Sequence, residues 1–207
     1  MGRGPGAAPA FVHRHVPGTR PLTVLALHGT GGTEADLLPL AAELAPGAAV
    51  LAPRGRVSEA GMARFFRRTA PGVFDLDDLR AQAADLARFV GAVAGGAAPL
   101  LALGYSNGAN MAAALLLLHP GTLAGAVLLR PMVPLVPEPL PDLAGAPVWI
   151  ASGRADPLVP EGEPQRLADV LGRARADVSL RWADADHRLT APEIRAAGGW
   201  VAERFPV

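Results

Sequence analysis

The chain has 207 residues, half of them apolar, and its basic and acidic residues cancel to a formal net charge of zero. It therefore lacks the basic excess that nucleic-acid or anionic-membrane partners require, and the absence of cysteine excludes disulfides, thiolate metal sites and a cysteine nucleophile. The sequence predicts a disordered lead-in over 1–10 and one folded domain over 11–207. The longest apolar run, 111–118, is too short for a membrane span, and no signal peptide is recognisable, which predicts a cytoplasmic protein.

The first half of the chain predicts an alternation of strands and helices. In chain order the predicted elements are an edge strand at 11–16, a buried strand at 22–27, a helix at 34–44 capped by Thr33, a strand at 48–52, and a helix from Asp75 to Val93. Between the last two lies 54–68, a segment without a hydrophobic period that we expect to be a loop. His13 and His15 share one face of the edge strand, but no third ligand lies close by, so no metal site is predicted.

A glycine-rich segment, His28-Gly29-Thr30-Gly31-Gly32, follows the second strand. It matches neither G-x-G-x-x-G nor the Walker pattern, which argues against a nucleotide site. The alternative is an oxyanion loop, in which glycines let the backbone close on a substrate. We expect His28 to be structural, with its ring bonded to the backbone of this loop.

The stretch 100–111 starts with an apolar run, continues as Gly104-Tyr105-Ser106-Asn107-Gly108 and ends in an alanine- and leucine-rich segment. This order predicts strand, tight turn and helix, the context in which G-x-S-x-G forms a nucleophile elbow. The serine of such an elbow has a strained backbone, and the glycines two residues away on each side avoid collisions between strand and helix. The residue after the serine begins the helix, so its N–H points toward negative charge on a substrate.

The second half of the chain continues the alternation. In order it predicts a helix to 118, a strand at 125–129, an irregular proline-rich connection or flap at 134–147, a strand at 148–152, a helix at 162–173, a strand at 178–182 and a helix from 192 to 204. Strands that alternate with helices in this way indicate one open, mostly parallel sheet covered by helices on both faces.

In such sheets the functional residues gather at the carboxyl ends of the strands. The residues at these exits are Thr30, Ser106, Arg130, Asp156 and His187. A serine hydroxyl needs a histidine to take its proton and an acid to hold the imidazolium, and the order serine, aspartate, histidine is the α/β-hydrolase order. Other aspartates fit less well, because they lie in the proline-rich connection, on a helix and its exit, or beside the histidine; they are Asp142, Asp169, Asp177, Asp184 and Asp186.

Four motifs span nearly the whole chain and resemble the phospholipase/carboxylesterase family of α/β-hydrolases, which includes small bacterial carboxylesterases and acyl-protein thioesterases. They are Leu27-His28-Gly29-Thr30-Gly31-Gly32, Gly104-Tyr105-Ser106-Asn107-Gly108, Gly153-Arg154-Ala155-Asp156-Pro157-Leu158-Val159-Pro160 and Asp186-His187-Arg188-Leu189-Thr190. The resemblance implies a three-layer α/β-hydrolase fold. It also implies that Ser106 is the nucleophile, His187 the base and Asp156 its orienting acid. The backbone N–H groups of Thr30 and Asn107 would form the oxyanion hole.

The chain departs from the family pattern around the substrate pocket. Asn107 stands where the family usually has glutamine, and Arg188 where it usually has glycine. The segments 54–68 and 130–132 replace those that line the acyl pocket in better-known members, and they resemble a bacterial subgroup of esterases associated with quinone-type compounds. The predicted substrate-binding residues are Arg54, Arg64, Phe65, Arg130, Met132 and Arg188. The arginines of 54–68 have two interpretations: they line the substrate pocket, or they pair with acidic residues on the surface.

Taken together, the resemblance implies a serine carboxylesterase that cleaves small carboxylic esters through an acyl-enzyme, without a metal or organic cofactor. Alternatives are a thioesterase, or a lactone or dienelactone-type hydrolase whose anionic substrate is held by Arg54, Arg64 or Arg130. A ligand-binding α/β-hydrolase with little turnover is a third possibility, which an intact triad argues against. The expected partner is a small-molecule ester, and the sequence leaves monomer and homodimer open.

Overall fold

The computed structural model describes residues 9–70, 72–94, 96 and 98–206. Most of the lead-in predicted over 1–10 therefore lies outside the described residues. The strands are β1 His13–Val16, β2 Thr23–Leu27, β3 Ala49–Pro53, β4 Val57–Glu59, β5 Met62–Arg64, β6 Arg68–Ala70, β7 Val73–Phe74, β8 Leu100–Tyr105, β9 Gly125–Leu129, β10 Pro147–Gly153 and β11 Asp177–Ala183. The helices are α1 Leu38–Leu44, α2 Leu76–Val93, α3 Asn107–Leu118, α4 Glu163–Arg173 and α5 Ala191–Arg204.

Seven of these strands form one sheet in the order β1-β3-β2-β8-β9-β10-β11. Only β1, at one edge, runs antiparallel to its neighbour; the other pairings in this sheet are parallel. The central strands are continuous apolar runs because helices cover both of their faces, as is typical of parallel sheets. The sheet therefore has the mostly parallel architecture that the alternation of elements predicted.

Successive residues of β2 point to opposite faces of the sheet and enter two separate cores. Leu25 and Leu27 pack with α2, α3 and α4, whereas Val24 and Ala26 pack with α1 and α5. Helix α3 is buried from Asn107 to Leu117, which explains why its sequence is apolar on all sides. Helices on both faces of one sheet confirm the predicted three-layer fold class.

The helix predicted over 34–44 begins later than expected, at Leu38. The Thr33 hydroxyl accepts a hydrogen bond from the Ala35 N–H and donates one to Asp36, and so holds a turn instead of capping the helix. Pro39 lies in the first helical turn, where its missing N–H costs nothing. The start of this helix is therefore set by the proline.

The segment 54–68, predicted as a loop, contains the hairpin β4–β5 and the first residue of β6, which pairs with β7. Ala60 and Gly61 join β4 to β5, and both have positive φ, at 50° and 80°. Two-residue hairpin turns require positive φ at both positions, and alanine is a poor signal for that conformation. No described helix of the protein is long and apolar enough to cross a membrane.

Candidate active site

Ser106 lies between β8 and α3 in a backbone conformation that is rare outside glycine, with φ 52° and ψ −114°. Its N–H donates to the Leu129 carbonyl of the neighbouring strand at 2.8 Å. The flanking glycines leave no room for a side chain: a Cβ on Gly104 would lie 2.6 Å from the Gly108 oxygen, and one on Gly108 would lie 2.0 Å from the Leu27 oxygen. Strand and helix thus pack closely enough to force the sharp turn at the serine.

The structure brings Ser106, His187 and Asp156 together from three different strand exits. The Nε2 of His187 is 3.0 Å from the Ser106 Oγ, and its Nδ1 is 2.7 Å from the Asp156 Oδ2. The Asp156 side chain is 1% exposed. Because a carboxylate can only accept, Nδ1 carries the proton and donates to Asp156, which leaves Nε2 free to accept from the serine hydroxyl. This arrangement can remove a proton from Ser106.

Hydrogen bonds to three consecutive backbone carbonyl groups hold the loop that carries His187. The Tyr105 hydroxyl donates to the His187 oxygen at 3.0 Å. Arg130 donates to the Asp186 oxygen from Nε at 3.1 Å and to the Arg188 oxygen from Nη2 at 2.6 Å. The conformation of the histidine loop is therefore set by side chains from two neighbouring strand ends.

Arg130 was predicted to bind substrate, but its guanidinium is already saturated. Besides the two loop carbonyls, it donates to the Ala151 oxygen and to both carboxylate oxygens of Glu193. These bonds use all five N–H donors of an arginine. Burial alone would raise the pKa of Glu193, but hydrogen bonds from Arg130 and Thr190 outweigh it and lower that pKa. Arg130 borders the cavity at Ser106 but has no donor left for a substrate anion.

The glycine-rich segment after β2 lies beside Ser106. No described residue accepts a hydrogen bond from the backbone N–H of Thr30 or of Asn107. The Asn107 Oδ1 accepts from the Phe65 N–H at 2.8 Å, whereas its buried Nδ2 has no partner among the described residues. The two N–H groups that the family resemblance assigns to an oxyanion hole are therefore available to a ligand.

The His28 ring holds the glycine-rich segment in place through two hydrogen bonds. Its Nε2 accepts from the Gly55 N–H at 2.9 Å, so Nδ1 carries the proton and donates to the Gly29 oxygen at 2.6 Å. Burial lowers the pKa of the His28 ring, which favours this neutral form. The ring thus connects the glycine-rich segment after β2 to Gly55, which follows β3 and Arg54.

A cavity of about 430 Å³ opens at Ser106 and His187. Of the predicted substrate-binding residues, Arg64, Arg130 and Met132 line it. Three do not: Arg54 pairs with Glu34, Phe65 is buried against the His28 ring, and Arg188 is 88% exposed and pairs with Asp186. Further lining residues lie outside the predicted substrate-binding set. Arg68 belongs to the segment 54–68, whose arginines the sequence offered as pocket residues, and the others were missed: Gly72, Phe74, Tyr105, Asn110, Leu158 and Val159.

Two of these missed residues, Leu158 and Val159, directly follow Asp156, so their place near the site could have been anticipated from the strand exit. Arg68 and Phe74 belong to the β6–β7 hairpin, which was not predicted. The proline-rich segment 134–147 supplies no residue to the cavity lining. The described residues also contain no group of three or more histidine, aspartate or glutamate side chains that could hold a metal ion.

A mostly parallel sheet with a serine in a strand–turn–helix elbow at its carboxyl edge defines an α/β-hydrolase. Comparisons with known proteins show which family of this class the chain belongs to. The curated protein "Putative hydrolase MhqD" of Bacillus subtilis (strain 168) is 43% identical over 195 residues, which cover 92% of this chain and 98% of that protein. The chain belongs to the phospholipase/carboxylesterase family of α/β-hydrolases. No family model matches it.

Two solved structures agree with this assignment. The Bacillus cereus carboxylesterase superposes with a TM-score of 0.90 at 41% identity, over 94% of this chain and 95% of that one. The carboxylesterase from Mesorhizobium loti gives a TM-score of 0.86 at 34% identity, over 93% and 94% of the two chains. These relatives identify the protein as a carboxylic ester hydrolase.

Proposed function

We propose that the protein cleaves small carboxylic esters by nucleophilic catalysis, with Ser106 as nucleophile, His187 as general base and acid, and Asp156 as the acid that orients the histidine. The observation that carries this proposal is the unbroken hydrogen-bond chain from the Ser106 Oγ through the His187 ring to the Asp156 carboxylate. The buried carboxylate fixes the tautomer in which Nε2 faces the hydroxyl and stabilises the imidazolium that forms.

In the first step the Ser106 Oγ attacks the ester carbonyl while its proton passes to the His187 Nε2. The carbonyl oxygen becomes an oxyanion, which accepts hydrogen bonds from the N–H groups of Thr30 and Asn107. Fixed donors of this kind contribute about 10²–10³ in rate. Collapse of the intermediate breaks the bond to the alcohol oxygen, which takes the proton from His187 and leaves an acyl-enzyme.

In the second step water repeats the same sequence. His187 takes a proton from the water as its oxygen attacks the acyl carbon. The second oxyanion occupies the same pair of N–H donors. Its collapse breaks the bond to the Ser106 Oγ, which regains its proton from His187, and the carboxylic acid is released. The cavity of about 430 Å³ at Ser106 suits a small ester.

Labelling with a fluorophosphonate tests this proposal, because the reagent reacts with activated serines. We expect intact-mass spectra to show one adduct on the wild type and on the control Ser58→Ala, and none on Ser106→Ala. The wild type and Ser58→Ala should also hydrolyse short esters, and Ser106→Ala should not. A folded wild type that takes up no reagent would instead favour a ligand-binding protein with an unassembled triad.

Because two of the similar solved structures are carboxylesterases, we expect this protein to prefer oxygen esters over thioesters. Kinetics on a matched pair, such as ethyl butyrate and the corresponding ethyl thioester, test this preference directly. We expect a higher kcat/KM for the oxygen ester after correction for the intrinsic reactivity of the two compounds. A higher corrected value for the thioester would reassign the protein as a thioesterase with the same catalytic residues.

A further inference from the structure

A cluster of two arginines and one glutamate lies at the cavity next to Ser106. Arg64 and Arg68 line the cavity, and Glu59 bridges them. The Glu59 Oε1 accepts from the Arg68 Nε at 2.8 Å, and its Oε2 is 3.3 Å from the Arg64 Nε. One carboxylate shared by two guanidinium groups leaves one positive charge without a partner.

Arg64 is the buried member of this cluster, with 4% of the residue exposed. Its Nε donates to the Phe66 oxygen at 3.2 Å and its Nη1 to the Thr30 hydroxyl at 2.7 Å. No hydrogen bond to a described residue uses Nη2. A buried cation with a free donor is costly unless a negative partner arrives. Burial lowers the pKa of the Arg64 guanidinium; the Glu59 carboxylate opposes this shift, and Arg68 adds to it.

The rest of the cavity lining does not cancel this charge. Arg130 is neutralised by its own pair with Glu193, and the Asp156 carboxylate is buried behind the His187 ring. No aspartate or glutamate is among the described residues that line the cavity. Arg64 also donates to the side chain of Thr30, the residue whose backbone N–H we assign to the oxyanion hole.

We propose that Arg64 and Arg68 form an anion subsite, and that the preferred substrates are esters that carry a carboxylate a short distance from the scissile carbonyl. Half-esters of short dicarboxylic acids have this chemistry. The inference rests on the proposed esterase function and names its substrate class. A guanidinium with free N–H groups binds a carboxylate through charge-assisted hydrogen bonds, which are the strong ones in proteins.

The experiment compares monoethyl succinate with ethyl butyrate, two esters that differ by a carboxylate in place of a methyl group. Proton release gives kcat/KM for each. We expect the wild type to prefer the half-ester by about 10- to 100-fold, the range that charge-assisted hydrogen bonds supply. Arg68→Met should lower that preference about 10-fold or more, and Arg68→Lys should retain part of it.

Arg67→Met is the matched control, because the Arg67 side chain is 61% exposed, pairs with Asp75 and does not line the cavity. It should leave the preference unchanged. A wild type that cleaves ethyl butyrate as well as the half-ester, with the same ratio in Arg68→Met, would overturn the subsite while the esterase function stands. Failure to cleave either ester, together with no fluorophosphonate adduct, would remove the esterase function and this inference with it.

Protection of Ser106 gives a second measurement that does not depend on turnover. Succinate should slow fluorophosphonate labelling of the wild type, and its neutral diamide should not. In Arg68→Met the protection by succinate should be lost. Equal labelling rates with succinate and with the diamide in the wild type would contradict an anion subsite even if both esters are poor substrates.

Discussion

Arg130 and Glu193 form a two-point ion pair in the protein interior, with 2.6 Å between Nη1 and Oε1 and 2.9 Å between Nη2 and Oε2. The Arg130 side chain is 0% exposed, and its other donors hold the carbonyl oxygens on both sides of His187. The pair therefore connects helix α5 to the loop of the histidine. The pair thus helps to fix the position of the His187 loop, in addition to the charge attraction between Arg130 and Glu193.

Arg130→Met should destabilise the protein strongly, because it leaves the Glu193 carboxylate buried without its partner. We expect a loss of about 3–5 kcal/mol in the free energy of unfolding, measured by urea denaturation. Arg166→Met breaks an exposed pair with Glu163 and should cost at most about 1 kcal/mol. Similar small losses for both variants would mean that the buried pair adds no specific stability.

Tyr105→Phe should lower kcat while KM changes little. The substitution removes only the hydroxyl that holds the His187 carbonyl, so the histidine loop gains freedom and Nε2 spends less time facing Ser106. A hydrogen bond of this kind is worth about 0.5–1.5 kcal/mol, which corresponds to a fall of about 2- to 10-fold. Steady-state kinetics on ethyl butyrate measure it. An unchanged kcat would show that Arg130 alone suffices to position the loop.

Gly108→Ala should prevent the elbow from packing, since its Cβ would lie 2.0 Å from the Leu27 backbone oxygen. The three nearest atoms are backbone atoms of Leu27 and His28, so strand and helix must separate, at a cost of about 3 kcal/mol or more. Gly172→Ala is the control, because a Cβ added at Gly172, near the end of α4, would have no described atom within 4 Å apart from its chain neighbours and the helix's own backbone. It should stabilise the protein by up to about 1 kcal/mol. Thermal melts that rank the two variants the other way would contradict the close packing.

The stability of the protein should fall as the pH drops below about 6.5, the ordinary pKa of histidine. Burial lowers the pKa of His28 in the folded protein, so the unfolded chain binds the extra proton first. The stabilising contribution of the neutral ring is complete above pH 6.5 and is lost as the pH falls toward the lower folded value. Protonated Nε2 would also face the Gly55 N–H, donor against donor.

Burial lowers the pKa of His119 as well, and that residue contributes in the same direction. Urea midpoints of the wild type and His28→Gln between pH 7.5 and 5 separate the two contributions. We expect a shallower decline in the variant, although its stability at pH 7.5 is lower. Parallel curves for the two proteins would assign the decline to other groups.

The elbow was predictable because its constraints are local. A strand, a turn that needs glycine on both sides of Ser106, and a helix follow one another within twelve residues, and each leaves its own pattern in the sequence. The order of the strand exits placed Asp156 and His187 at the same edge of the sheet for a similar reason, since parallel strands direct their carboxyl ends to one side. The hairpin at Ala60-Gly61 left no comparable signal.

The sequence by itself determined the alternation of strands and helices, the position of the elbow and the identity of the polar residues at the strand exits. Only the tertiary structure decided which arginine side chains use all their hydrogen-bond donors within the protein and which do not. Arg54 is paired with Glu34, Arg130 is saturated by partners up to 63 residues away, and Arg64 lines the cavity and has no described hydrogen-bond partner at Nη2. The reason is physical: hydrophobic periodicity is written along the chain, whereas the neutralisation of a charge depends on which distant groups the fold brings within a few ångströms.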